Sequence, residues 1–213
     1  MSDVSRARAA YIRAVVAERR AKSRLIFRRK QGRKALKLRR LLARKRLDRR
    51  KAKRSYLAAR LRANRPLRAK ALDEAVALIG VMESGGNNRG EKVTQIIRAN
   101  GGTGPEPWCG DFVAYCYRLA GSKAVDRRWA AVRLLSLVSG VRRTTNPQPG
   151  DLVRFTFDHV GIFSKRVNGS TIEVIEGNTG ASGAVSDSST GGDGVYRKNR
   201  STSLVADYLR VTR

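Results

Sequence analysis

The chain holds two cysteines, Cys109 and Cys116, and one histidine, His159. In the run Pro105-Glu106-Pro107-Trp108-Cys109-Gly110-Asp111-Phe112, the prolines fix the approach and Cys109 falls in the first turn of an expected helix. Unpaired N–H groups and the positive dipole end favour a thiolate there, which suits a nucleophile. Cys116 lies two turns further on, ~10 Å along the axis, too far for a disulfide that needs Cα atoms within ~7 Å. It reads as a small buried hydrophobe. Any imidazole chemistry must use His159, which opens the β-like run His159-Val160-Gly161-Ile162-Phe163. Asn168-Gly169 then predicts a two-residue hairpin turn that pairs Val167 with Ser170. In that register His159 falls opposite Asn178, Glu176 shares their face, and Ile162 meets Ile175 on the core side. A bulge or a different turn would scatter the group. No cluster has zinc-ligand spacing, and Gly191-Gly192-Asp193-Gly194 reads as a turn rather than a cation loop.

The elements that must position these residues come in two blocks. Helices are expected over residues 72–82 and 91–99, from about Trp108 onward, and over 126–137, with Gly-rich loops between them. After Pro147-Gln148-Pro149-Gly150 the pattern changes to strands, expected over 152–157, 160–167, 171–175, 194–197 and 204–211. Helices followed by antiparallel strands make an α+β domain. A nucleophile at a helix start, a base on a strand and a carboxylate or amide to orient that base form the papain-like arrangement of cysteine hydrolases.

The rest of the chain is a different object. Of 213 residues, 46 are Lys or Arg and 17 Asp or Glu, a formal charge of +29. Residues 1–70 hold 28 of these cations against 3 acids, a net +25, whereas residues 71–213 hold 18 against 14, a net +4. The first part is expected to be a basic, mostly helical arm over 5–63, interrupted near Gly32, and the second an ordinary globular domain. Most i,i+4 neighbours in the arm are like charges, so it should be poorly ordered until an anionic partner neutralises it. Anionic wall polymers, lipid headgroups and nucleic acid all satisfy that requirement. Arg28 to Arg54 lacks interleaved aromatics, which weighs against a single-strand stacking mode of nucleic-acid binding. No apolar run approaches the ~20 residues of a membrane span, and Arg13 splits the only candidate for a signal-peptide core.

The globular part resembles the cysteine, histidine-dependent amidohydrolase/peptidase (CHAP) domain of phage endolysins and bacterial wall hydrolases. The resemblance spans roughly residues 72–210. It is carried by Pro107-Trp108-Cys109 with the Phe112-to-Tyr117 helix, Pro149-Gly150-Asp151-Leu152-Val153, His159-Val160-Gly161-Ile162 and Glu176-Gly177-Asn178-Thr179. It implies a papain-like α+β domain whose helices pack on an antiparallel sheet. By the same resemblance Cys109 is the nucleophile, His159 the general base, and Glu176 and Asn178 orient and polarise that base. Trp108 would either wall the substrate groove or pack in the core beside the helix start, and Gln95 or Asn100 could supply an oxyanion donor beside the Cys109 N–H. The implied substrate is bacterial peptidoglycan, cut as an amidase or an endopeptidase. The acidic run that binds calcium upstream of the cysteine in some members is absent, so no metal or other cofactor is expected, and the arm is no wall-binding repeat of the family. The expected protein is an endolysin made in the host cytoplasm without a signal peptide, reaching the wall after holin-type release or as part of a virion. Its arm would attract it to an anionic wall polymer or membrane surface. The alternatives are a nucleic-acid-binding or virion structural protein with a vestigial hydrolase domain, and a papain-like protease acting on proteins.

Overall fold

A computed structural model describes residues 2–30, 36–181 and 192–212. The chain falls into two compact units, Met1–Arg65 and Pro66–Arg213. In the first, helices α1 (Asp3–Lys30) and α2 (Leu36–Ala63) pack against each other. Tyr11 stacks on Tyr56 with centroids 6.1 Å apart, and Glu18 on α1 meets Arg49 on α2 at 2.8 Å. The expected interruption near Gly32 lies outside the described residues.

The second unit carries α3 (Leu67–Ala77), α4 (Glu91–Ala99) and α5 (Cys109–Leu119), then two 3-10 turns (Arg127–Ala130 and Val132–Leu137), then the sheet. Its strands are β1 (Val141–Thr144), β2 (Leu152–Phe155), β3 (Val160–Arg166), β4 (Thr171–Thr179), β5 (Gly194–Ser201) and β6 (Val205–Val211). They form one antiparallel sheet in the order β1-β6-β2-β3-β4-β5, with the helices ahead of it in the chain, an α+β arrangement consistent with a CHAP domain. Alternation along the strands separates two clusters. Leu152, Ile162, Ile175 and Leu209 face α3 to α5 through Ala75, Phe112, Val113 and Cys116, whereas Val153, Phe155, Phe163 and Val174 lie on the opposite face.

Several elements depart from the sequence reading, and β4 and β5 each run four residues past their expected ends at 175 and 197. Helix α3 starts directly after Pro66, whose fixed φ suits a helix entry, and ends at Ala77, earlier at both ends than expected. The expected helix over 126–137 is instead two 3-10 turns broken at Ala131, because the chain here runs across the start of α5: a Cβ on Gly110 would sit 2.4 Å from the Trp129 carbonyl oxygen. Strand β1, Val141-Arg142-Arg143-Thr144, was not expected, since its paired arginines hide the alternation.

One glycine ties the layers together. Gly150 has φ +96, and a Cβ there would fall 1.9 Å from the Arg68 carbonyl oxygen of α3. Its own carbonyl accepts from the buried Tyr117 hydroxyl of α5 at 2.6 Å. Gly150→Ala is therefore expected to destabilise the second unit by about 2–3 kcal/mol, read as a lower urea midpoint at unchanged slope.

Candidate active site

Cys109 opens α5, where helix geometry leaves its N–H without an intrahelical acceptor. The loop before it is anchored on both sides. Trp108 is fully buried, its indole Nε1 donates to Glu83 Oε1 at 2.8 Å, and its ring meets Phe112 edge-on. Arg127 bridges Glu106 Oε2 at 2.6 Å and Asp111 Oδ1 at 2.9 Å. Asp111 is buried in the first turn of α5, and burial raises its pKa to about 6 against the opposing pull of Asn100 and Arg127.

His159 precedes β3, is 1 % exposed, and is held by Glu176 on β4, whose Oε2 lies 3.0 Å from His159 Nε2. Its ring stacks on Phe157 and Phe155, which fixes the plane. The Cys109 sulfur is the other group near enough to His159 to raise its pKa. With Nε2 engaged by Glu176, Nδ1 is the nitrogen left for the sulfur. The hairpin that brings His159 and Glu176 together does so by two irregularities that cancel. The turn spans three residues, so Val167 closes on Thr171 rather than Ser170. A bulge between Phe163 and Lys165 then restores the expected pairing of Ile162 with Ile175. Gly161 makes room for the Glu176 side chain: a Cβ there would be 2.8 Å from Glu176 Cγ.

The charges settle around this contact. Burial alone would push the His159 pKa down, but the Cys109 sulfur and the Glu176 carboxylate outweigh it and raise it to about 9. Burial likewise works to raise Glu176, yet Arg200 and His159 hold it at about 2. Arg200, on β5 and 1 % exposed, makes a two-pronged contact: Nε donates to Glu176 Oε1 at 2.9 Å and Nη2 to Oε2 at 2.8 Å. Its guanidinium also lies over the Phe155 and Phe157 rings. A buried row Arg200, Glu176, His159, Cys109 results, with alternating charge once the thiol proton has moved to the imidazole.

The remaining candidates fall differently. Asn178 adopts a left-handed φ of +56 beyond Glu176. Its amide oxygen accepts from the Trp108 N–H at 3.2 Å and its nitrogen donates to the Gly192 carbonyl at 3.1 Å, so it braces the residue before Cys109 rather than bonding to His159. Trp108 as a groove wall needs correction: with no exposed surface, its ring is committed to the core and to Glu83. Asn100 is buried, and its amide nitrogen donates one of its two hydrogens to Asp111 Oδ1 at 2.6 Å. Gln95 is exposed and accepts from Lys92. Cys116 is fully buried, and burial pushes its thiol pKa well up, which leaves it inert beside Cys109. Gly177 lets β4 approach α5, since a Cβ there would lie 2.6 Å from the Phe112 ring. Among the described residues no group of His, Cys, Asp and Glu could hold a metal ion. Sequence reasoning missed Glu83, Arg127 and Arg200. None of the three leaves a local signal, since Arg200 sits in the polar run Arg197-Lys198-Asn199-Arg200 and its burial appears only in the structure.

Residues 100–178 match the family model of the CHAP domain, a span that contains Cys109 and His159 and ends on Asn178. A CHAP domain implies a cysteine/histidine amidohydrolase or peptidase of the peptidoglycan-hydrolase class. No curated protein and no solved structure matches the chain.

Proposed function

We propose that the protein is an endolysin-like peptidoglycan hydrolase that cleaves an amide bond through a thioester on Cys109. The observation that carries this reading is the buried contact of Cys109, at a helix start, with a histidine that a carboxylate already holds. His159 takes the thiol proton and the thiolate attacks the amide carbonyl, where the Cys109 N–H donates to the developing oxyanion. The C–N bond breaks as His159 returns its proton to the leaving amine. Water, deprotonated by His159, then attacks the thioester carbonyl, releasing the carboxylic acid and the thiol. Glu176 keeps the imidazole oriented and its protonated form stable, Arg200 keeps Glu176 ionised and fixed, and Asn178 holds the backbone next to the nucleophile. No cofactor enters this scheme.

The substrate is an amide of the bacterial wall, either the bond between lactyl group and stem peptide or one within the peptides. The basic unit Met1–Arg65 serves as a tether that concentrates the enzyme on an anionic surface. We place its synthesis in a phage-infected host cytoplasm, with access to the wall by holin-type release or with the virion. None of the described helices is long and apolar enough to cross a membrane.

Digestion of purified peptidoglycans of several chemotypes, followed by mass spectrometry of the soluble fragments, tests the reading. Fragments with new amine and carboxyl ends are expected, and those ends name the bond. Loss of their release after one-equivalent alkylation of Cys109 would tie the activity to the thiol. Walls of every chemotype left intact by the unmodified protein would overturn it.

A further inference from the structure

The first unit leaves more apolar surface in solvent than a purely electrostatic tether has use for. Its own seam is narrow: among the described residues Ala21 and Leu42 are its buried hydrophobics, helped by the Tyr11–Tyr56 stack. By contrast Ile12, Val16, Ile26 and Phe27 of α1 are all exposed, Phe27 to 62 %. At about 100° per residue these four fall within an arc of about 100° on one side of α1. That strip runs into a groove of ≈ 520 Å³ between α1 and α2, whose lining includes Ile12, Val16 and Leu41 together with Arg13, Arg20 and Lys45. Met1–Arg65 carries 26 Lys and Arg against 3 acids, a net +23.

We infer that this helical hairpin docks on an anionic phospholipid bilayer, with Ile12, Val16, Ile26 and Phe27 entering the boundary between headgroups and acyl chains. Arg13, Arg20 and Lys45 would hold lipid phosphates beside the apolar residues of the groove. Cations alone suffice for a nucleic acid or a wall polymer, whose backbones offer nothing to an exposed Ile-Phe pair. A second copy of the chain would bring +23 against +23. An anionic bilayer uses both features at once, since surface charge draws the hairpin in and the apolar strip adds to binding once it arrives. Neutralisation by lipid phosphates also relieves the like-charge repulsion within α1 and α2.

This inference rests on the tethering role proposed for the first unit, and its test is independent of the hydrolase chemistry. Full-length Cys109→Ser chain is sedimented with vesicles of phosphatidylcholine, with and without about one third phosphatidylglycerol. Binding to the anionic vesicles alone is expected. Substituting Ile12, Val16, Ile26 and Phe27 together by Ser should lower that binding at least ~10-fold, with retention on duplex DNA and on a poly(glycerol phosphate) polymer unchanged. Circular dichroism checks that the helices persist, and Phe27→Ser alone, at the most exposed of the four sites, repeats the test with least disturbance. Changing Arg13, Arg20 and Lys45 to Gln should weaken all three interactions. Vesicle binding by the Ser variants equal to the parent chain would overturn the inference, as would no binding to anionic vesicles or equal losses on vesicle, DNA and wall polymer. Wall digestion by the Cys109 form would stand or fall separately.

Discussion

Cys109→Ser is expected to lower peptidoglycan hydrolysis by at least about 10⁴-fold, and His159→Gln by a similar factor, while the double variant is no worse than either alone. The near-equality follows from their acting as a unit. A serine hydroxyl in place of the thiol asks His159 to move a proton from a far weaker acid, and a thiol without His159 has no acceptor for its proton and no donor for the leaving amine. Cys109→Ser is a small change at a residue 5 % exposed at the rim of the core, so its thermal unfolding should change little, whereas His159→Gln removes a buried partner of Glu176 and should lower the melting temperature. The pH profile separates this reading from a merely structural cysteine. Because the Cys109 sulfur and Glu176 raise His159 to about 9 against the effect of burial, the imidazolium survives well above the usual histidine range. Turnover should hold through neutral pH and fall as pH rises through about 9, where the donor for the leaving amine is lost. In Glu176→Gln one of the supports of that charge is gone, and the alkaline limb should move to lower pH. A limb that stays in place would show that Glu176 does not set the histidine charge.

The same shifts fix where the site stabilises the fold. His159 is raised from 6.5, so its contribution is complete below 6.5 and is lost as pH rises through about 9. Glu176 is lowered from 4.5, so its contribution is complete above 4.5 and is lost as pH falls through about 2. Between those limits, roughly pH 4.5 to 6.5, both contribute in full. Asp111 acts in the opposite sense. Burial raises it to about 6, so its carboxylate works against the fold once ionised, and stability is lost as pH rises from its ordinary 3.8 toward 6.

Local signals carried Cys109 and His159, the proposed nucleophile and its base, into view. Two prolines before a helix pattern place Cys109, and one Asn-Gly between two β-like runs brings His159 and Glu176 to the same face of a hairpin. That pairing holds for a reason no sequence rule supplied: the turn is one residue longer than expected, and the bulge near Ser164 removes the resulting slip before it reaches His159. What stayed hidden depends on long-range contacts. Glu83 reaches Trp108 across 25 residues, and Arg127 reaches Asp111 across 16 through a 3-10 segment whose sequence reads as plain helix. The burial of Trp108, which removes it from the substrate groove, is a property of that packing and not of its neighbours in the chain. The arm is legible in composition alone, because its charge needs no partner to be counted, whereas its exposed apolar strip emerges only once Ala21 and Leu42 have been assigned to the seam.

Arg200 shows what such a long-range contact is worth. It pairs across the sheet with Ile172, four residues before Glu176 on the same face of β4, and reaches along the strand to grip both carboxylate oxygens. Arg200→Gln leaves a buried carboxylate with His159 as its only charged neighbour in that row, a loss expected to cost about 3–5 kcal/mol and to lower the melting temperature by roughly 10 °C or more. Turnover should fall by ~10²-fold, because Glu176 would no longer be held both ionised and aimed at the imidazole. Stability and activity then separate in the double variant. Arg200→Gln with Glu176→Gln removes both buried charges and lets two amides meet, so most of the lost stability should return. Activity should not return, since neither amide can support the charge on His159. If the double variant recovered turnover along with stability, Arg200 would be a structural residue that happens to touch the row, and the orientation of His159 would have to come from its stacking on Phe155 and Phe157.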